Sequence, residues 1–215
     1  MKRDISNFRK TYSKNILNEE LVSDSPLILF DEWFNEVHSL NDGSETNAMT
    51  LSTIDDHGFP KNRVVLLKFY SDNGFIFFTN YNSNKSISIL KNNKVCISFF
   101  WEELERQVII KGVANKTSSK ISDDYFNSRP FGSKIGALVS SNQSSVISSR
   151  TVLKEKFNRL ITEFSEKKIT RPENWGGFCV IPVEYEFWQG GDNRLHDRIR
   201  YSLINNKWKK ERLSP

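Results

Sequence analysis

Polar and apolar positions change their spacing several times along this chain, and each change predicts an element. Residues 1 to about 23 are polar with no sustained period, which predicts a loosely attached arm, with residues 24–215 forming a single domain. Ser25-Pro26 then opens a helix, with Ser as N-cap and Pro at the first helical position. Leu27, Phe30, Phe34 and Val37 recur at helical spacing as its apolar face, and Asn41-Asp42-Gly43-Ser44 stops it.

The period then shortens. Ala48 to Ile54 reads as a strand, and Asp55-Asp56-His57-Gly58 as a turn. Arg63 to Tyr70 is a strand, Ser71-Asp72-Asn73-Gly74 a turn, and Phe75 to Asn80 the returning partner. Ser83 to Asn92 predicts a short helix with Ile87 and Leu90 as its apolar contacts, followed by strands over Lys94 to Trp101 and Arg106 to Lys116. Three helices come next: Ser119 to Ser128, stopped by Arg129-Pro130; Ser133 to Val139; and Ser148 to Lys168, with Val152, Phe157, Leu160, Ile161 and Phe164 on one face. After Pro172 strands return at Gly177 to Gln189, Leu195 to Ile204 and, past a tight turn at Asn205-Asn206, Lys207 to Leu213. Short connections between strands of this length predict an antiparallel barrel or sandwich, so the fold class is mainly β (α+β), with helices packed around a barrel. There is no internal repeat and no low-complexity segment.

Composition adds a bias towards flat ligands. The chain holds sixteen Phe and five Trp, which bury large areas and also make walls for ring-shaped molecules. A net charge of +5 suits anionic partners, namely nucleic acid, acidic membranes or phosphorylated small molecules. The densest basic run, Lys207 to Arg212, contains Trp208 and Glu211 and reads as a solvated strand face. Cys96 and Cys179 stand far apart in apolar runs, which fits free thiols in a reducing compartment and gives no metal-ligand spacing. The charged segment Met1 to Lys10 shows no secretory signal, and no stretch approaches the roughly 18 apolar residues needed to cross a bilayer. The expectation is a soluble, cytoplasmic protein without a metal.

No glycine-rich phosphate loop, G-x-S-x-G, C-x-x-C or H-E-x-x-H is present, which weakens dinucleotide-binding, P-loop, hydrolase and zinc-enzyme readings together. What remains are cations inside otherwise apolar segments. Arg63 and Lys68 flank Val64, Val65, Leu66 and Leu67; such residues either snorkel outward or meet an anion. In an ideal strand they would lie on opposite faces, roughly 16 Å apart. Tyr125 and Arg129 share a helix face, and the helix opening near Gly132-Ser133 offers free N–H groups. That set is either a phosphate cradle or an ordinary helix break with a surface arginine. If the segment after Phe187-Trp188-Gln189-Gly190-Gly191 is extended, Arg194, His196 and Arg198 point to one side. Clustered cations repel unless an anion or ring stands among them. His38 and His57 read as structural or exposed.

These segments together resemble the pyridoxine/pyridoxamine 5'-phosphate oxidase family. The matching runs are Arg63-Val-Val-Leu-Leu-Lys68, Leu104-Glu-Arg-Gln107-Val, Tyr125-Phe-Asn-Ser-Arg129-Pro, Gln143-Ser144-Ser, Trp175-Gly-Gly-Phe178 and, above all, Glu186-Phe-Trp-Gln-Gly-Gly-Asp-Asn-Arg-Leu-His-Asp-Arg198. They occur in order between Arg63 and Arg198, and the resemblance covers nearly the whole chain, from about Phe8 to Pro215. The resemblance implies an FMN-binding split β-barrel homodimer that oxidises pyridoxamine or pyridoxine 5'-phosphate to the aldehyde with O2 as acceptor.

By that resemblance, Arg63, Val64, Val65, Leu66, Leu67 and Lys68 line the FMN, with Arg63 towards its phosphate, and Phe78, Thr79 and Lys85 add contacts. Gln107 bonds the ring system, Gln143 and Ser144 reach over from the partner subunit, and Trp188 and Arg198 complete the flavin pocket. Lys68, Tyr125, Arg129 and Ser133 hold the substrate phosphate; Arg194, Leu195 and His196 lie at the reactive carbon, with Arg194 and His196 as the catalytic pair. Arg9 and Tyr12 belong to a segment that can close over the site. Two departures stand out. Asn84 occupies a position commonly basic in the family, and the Ser140-Ser141-Asn142-Gln143 link is one residue longer than usual. Two other classes are weighed: a split-barrel flavoprotein or B6-phosphate carrier without turnover, and a nucleic-acid-binding barrel. The second is disfavoured because the aromatics sit at core spacings.

Overall fold

A computed structural model of the chain describes residues 3–40 and 43–215. Helix α1 (Pro26–Ser39) begins at the expected Ser25-Pro26, although the Ser25 side chain makes no capping bond. Asn41 and Asp42, read as part of its stop, lie outside the described residues. Its buried face is Leu29, Phe30, Trp33 and Val37, rotated from the expected stripe so that Trp33 replaces Phe34 at the centre. Trp33 meets Phe187 edge-on at 5.3 Å and Phe30 meets Phe99 at 5.2 Å, which is why the aromatic members of the stripe face inward.

The strands are β1 (Ala48–Ile54), β2 (Pro60–Leu66), β3 (Phe69–Ser71), β4 (Gly74–Asn80), β5 (Lys94–Trp101), β6 (Arg106–Lys116), β7 (Trp175–Gln189), β8 (Asp197–Ile204) and β9 (Lys207–Leu213). They form a nine-stranded sheet in the order β2-β1-β5-β6-β7-β4-β3, with β8 on β7 and β9 on β8. The described registers, β3 with β4, β4 with β7, β7 with β8 and β8 with β9, are all antiparallel. The expected single strand over Arg63 to Tyr70 is instead two, broken at Leu67-Lys68. There the Leu67 side chain is buried and the Lys68 amide turns to the carbonyl of Ile76 at 2.8 Å. Those two linking residues connect the opposite ends of the sheet order, so the sheet must curl to bring its ends together.

The remaining helices are α2 (Asn84–Lys91), α3 (Ser119–Ser128), α4 (Phe131–Val139) and α5 (Arg150–Glu163). α2 buries Ser86, Ser88 and Ile89 and leaves the expected contacts Ile87 and Leu90 exposed. The cause is polar: the hydroxyls of Ser83 and Ser86 both donate to the carbonyl of Asn80, at 2.7 and 2.8 Å, and turn the serine face inward. α5 is shorter than expected and fully buries no side chain; Phe157 and Leu160 pack against the cluster of Phe126, Ile135 and Trp175.

The chain divides into two compact units, one comprising Met1–Met49, Ile97–Lys111 and Pro182–Pro215, the other Thr50–Cys96 and Gly112–Ile181. The arm belongs to the first unit and is pinned there rather than loose. Leu17 is buried, its amide donates to Asp197 at 2.9 Å, and the Tyr201 hydroxyl donates to the carbonyl of Ser23 at 2.7 Å.

Candidate active site

In the second unit, β2, β4, α3 and α4 surround a cavity of about 660 Å³. Eight of the residues assigned to the flavin by resemblance line it: Val64, Val65, Leu66, Lys68, Phe78, Thr79, Lys85 and Gln143. So do the phosphate residues Tyr125, Arg129 and Ser133. Six of the residues expected at the flavin are not in the lining: Gln107, Trp188 and Arg198, which belong to the first unit, and Leu67, Ser144 and Arg63. Leu67 is buried, Ser144 accepts from the Asn84 amide at 3.3 Å, and Arg63 turns its guanidinium to the Leu51 carbonyl at 3.1 Å and the Thr53 hydroxyl at 2.8 Å. Gln143, expected to cross from a partner subunit, sits in the cavity of its own chain, with Oε1 accepting from Lys85 Nζ at 3.3 Å.

No carboxylate lines this cavity among the described residues, and its cations are poorly compensated. Lys85 Nζ donates to the hydroxyls of Thr79 at 3.1 Å and Ser83 at 3.2 Å. Burial, with the nearby charge of Arg63, pulls the Lys85 ammonium down to about 8. Burial likewise lowers Arg129 and raises the Tyr125 hydroxyl. The Nη1 of Arg129 is buried with no hydrogen-bond partner, although its guanidinium lies 4.7 Å above the ring of Trp175. An orphaned buried N–H is costly and marks a place for an acceptor. Phe78 stacks on Tyr125 at 4.0 Å and on Trp175 at 5.6 Å, forming an aromatic wall. Cations without acids beside flat rings suit phosphorylated aromatic molecules, so the residues present fit a flavin mononucleotide and a phosphorylated pyridine.

The first unit holds a second cavity of about 490 Å³, lined by Arg9 and Tyr12 of the arm and by Arg194 and His196. The expected extended run fails here: Asn193 and Arg194 adopt left-handed backbone, φ 55° and 64°, and β8 begins only at Asp197. Arg194, His196 and Arg198 therefore do not alternate along one strand face. Tyr12 stands edge-on to Trp188 at 5.7 Å and His196 at 5.9 Å, while Leu195 is exposed. Arg198 is oriented by the Glu186 carboxylate at 2.9 Å and the Ser214 carbonyl at 2.8 Å. Gln107 lies on the partly open face of β6, between buried Arg106 and Val108. The sequence reading missed Glu186 as the partner of Arg198, although β7–β8 pairing could have suggested it. It also gave Trp175 no role.

The architecture with these sites is that of the antiparallel split barrel. The chain is similar over 94% of its length to a solved structure of PhzG from Burkholderia lata 383, in complex with tetrahydrophenazine-1-carboxylic acid, with a TM-score of 0.87 and 25% identity over all of that chain. Residues 40–163 match the family model described as pyridoxamine 5'-phosphate oxidase, and residues 175–215 match the pyridoxine 5'-phosphate oxidase C-terminal dimerisation region. A pyridoxine/pyridoxamine 5'-phosphate oxidase of Flavobacterium johnsoniae is 58% identical, covering 98% of this chain and 99% of the relative. That of Flavobacterium psychrophilum is 54% identical, covering 99% and 100%. The chain belongs to the pyridoxine/pyridoxamine 5'-phosphate oxidase family and is an enzyme of that family. No helix among the described residues is long and apolar enough to cross a membrane.

Proposed function

We propose that this enzyme oxidises pyridoxamine 5'-phosphate or pyridoxine 5'-phosphate to pyridoxal 5'-phosphate, in vitamin B6 salvage or biosynthesis, as a cytoplasmic FMN-dependent homodimer. The observation that carries the reading is the unpaired, buried Nη1 of Arg129 in a carboxylate-free cavity that also presents Lys68, Lys85 and Ser133. When bound, the flavin supplies hydride acceptance from the substrate carbon and return of two electrons to O2, giving H2O2 and, from the amine, ammonia after hydrolysis.

The chain's own groups then divide the work. Arg129, with Tyr125, Ser133 and Lys68, binds the substrate phosphate through charge-assisted bonds. Lys85, Thr79 and Gln143 hold the flavin phosphate, with Asn84 leaving one cation fewer beside Lys85. Phe78 and the Val64–Leu66 stretch give the ring system an apolar bed. Gln107, Ser144, Trp188 and Arg198 are further flavin contacts, while Arg63 adds positive charge towards the flavin phosphate and Leu67 acts by packing. Arg194, Leu195 and His196 serve the reactive carbon, and Arg9 and Tyr12 exclude water from it. Fixing the substrate in this way can contribute several kcal/mol, up to about 7–11 in ideal cases.

The test is a visible spectrum of the purified protein followed by anaerobic addition of pyridoxamine 5'-phosphate. Bleaching of a flavin band near roughly 450 nm, with peroxide on readmitting air, is the expected result. A yellow protein that neither bleaches nor yields peroxide would be a carrier and not an oxidase.

A further inference from the structure

Glu105 lies outside every role assigned above, yet it is the most unusual acid in the first unit. It is 2% exposed, and its backbone is left-handed at φ 55° and ψ 42°, a conformation that costs a non-glycine residue free energy. A buried carboxylate needs strong partners. Here they are not cations. Oε2 accepts from two consecutive backbone amides of the arm, Ser13 at 2.9 Å and Lys14 at 3.1 Å. The same residue's carbonyl accepts from the Gly190 amide at 2.8 Å and from Gln189 Nε2 at 3.3 Å. Gln189 is itself buried, donating to the Leu104 carbonyl at 3.1 Å and accepting from Arg106 at 2.9 Å.

One residue thus grips both walls of the second cavity. Its side chain holds the arm immediately after Tyr12, and its main chain holds the corner that leads to Arg194 and His196. Gly190 completes the join: a Cβ there would stand 2.8 Å from Cβ and Cγ of Tyr12 and 3.1 Å from Cβ of Glu105. The close approach of the Tyr12 and Glu105 side chains to the Gly190 backbone leaves no room for a further side chain.

We propose that Glu105 is a positioning residue that seats the arm over the Arg194–His196 corner, so that Arg9 and Tyr12 are in place before substrate arrives. The proposal rests on the oxidase reading given above. Two substitutions approach the contact from opposite sides. Glu105→Asn keeps a residue that tolerates left-handed backbone while removing the carboxylate. Ser13→Pro removes one amide from the arm and leaves the sheet untouched.

Hydrogen exchange on the ligand-free protein is expected to show at least tenfold loss of protection at Lys14 in both variants, and at Ser13 in Glu105→Asn. Amides of β7 and β8 should stay protected as the fold control. With pyridoxamine 5'-phosphate, KM is expected to rise about tenfold while kcat stays within about twofold, as for lost preorganisation of binding. The double variant should be no worse than either single one, because both cut the same link. Unchanged exchange, or KM effects that multiply in the double variant, would overturn the proposal. If Glu105→Asn does not fold, Ser13→Pro alone decides. Wild-type protein that fails to oxidise the substrate sinks the functional reading, whereas unchanged exchange sinks the anchor whatever the turnover.

Discussion

The backbone amide of Gly191 donates a hydrogen bond to Nδ1 of His196 at 3.2 Å. That bond makes Nδ1 the acceptor and leaves the imidazole proton on Nε2, so the ring meets a ligand as a hydrogen-bond donor. On the proposed reading, a group in that state is expected to position substrate and not to take its proton. His196→Gln, which keeps an N–H donor near the Nε2 position, is therefore expected to retain kcat to within about tenfold. Loss of a general base would lower it by roughly 10²–10⁴. Single-turnover reduction rates decide between the two.

The buried Nη1 of Arg129 has no partner in the chain, so on the proposed reading its bond is expected with the substrate phosphate. Arg129→Ala is expected to raise KM for pyridoxamine 5'-phosphate by about tenfold to a hundredfold, the range of a charge-assisted bond, with kcat much less changed. Steady-state kinetics showing the reverse split would place Arg129 at the chemistry instead.

Lys85, as the proposed ligand of the flavin phosphate, is expected to give FMN affinity a pH dependence. Its ammonium is held at about 8, below the ordinary 10.5, by burial and then by Arg63. As pH rises through that value the cation is lost, and affinity for the flavin phosphate should fall about tenfold between pH 7 and pH 9. The phosphate itself, with a second pKa of about 6, stays dianionic over that range. Binding titrations at the two pH values check this, and Lys85→Met should flatten the profile. The same lowered value means the unfolded chain holds this proton longer, so the group's contribution to stability rises from pH 8 towards 10.5.

Gly74 turns the β3–β4 hairpin at φ 121°, and a Cβ there would stand 2.4 Å from the carbonyl oxygen of Val180. Gly74→Ala is expected to destabilise the protein by about 2–4 kcal/mol, combining overpacking with backbone strain. Urea denaturation reads the change, and a loss under about 0.5 kcal/mol would show that β4 can shift to absorb it.

Much of this was legible in advance where the signal is local. The bounds of β1, β5, β6 and β9 follow from period and punctuation, and Asn205-Asn206 supplies the two left-handed residues that a tight hairpin needs, φ 48° and 60°. The break at Leu67-Lys68 was hidden inside a continuous apolar run, because its cause is an amide bond to Ile76 across the sheet. The rotation of α2 depends on where the Asn80 carbonyl ends up, and the kink at Arg194 on a left-handed pair that nothing in the local pattern announces. In the site, Lys68, Tyr125, Arg129 and Ser133 gather as the motifs implied. Glu105 stands inside the quoted Leu104-Glu-Arg-Gln107 run but received no role, since the amides it binds lie more than ninety residues away.

The guanidinium of Arg129 rests on Trp175, one of five tryptophans in the chain. Any anion that draws that guanidinium away, or locks it down, changes the electric field on an indole that is otherwise shielded from solvent. Occupancy of the phosphate subsite should thus be readable as a shift in intrinsic emission that Trp175→Phe abolishes. The enzyme would report occupancy of that subsite without a label, even where exclusion of oxygen limits it to a single reduction of the flavin.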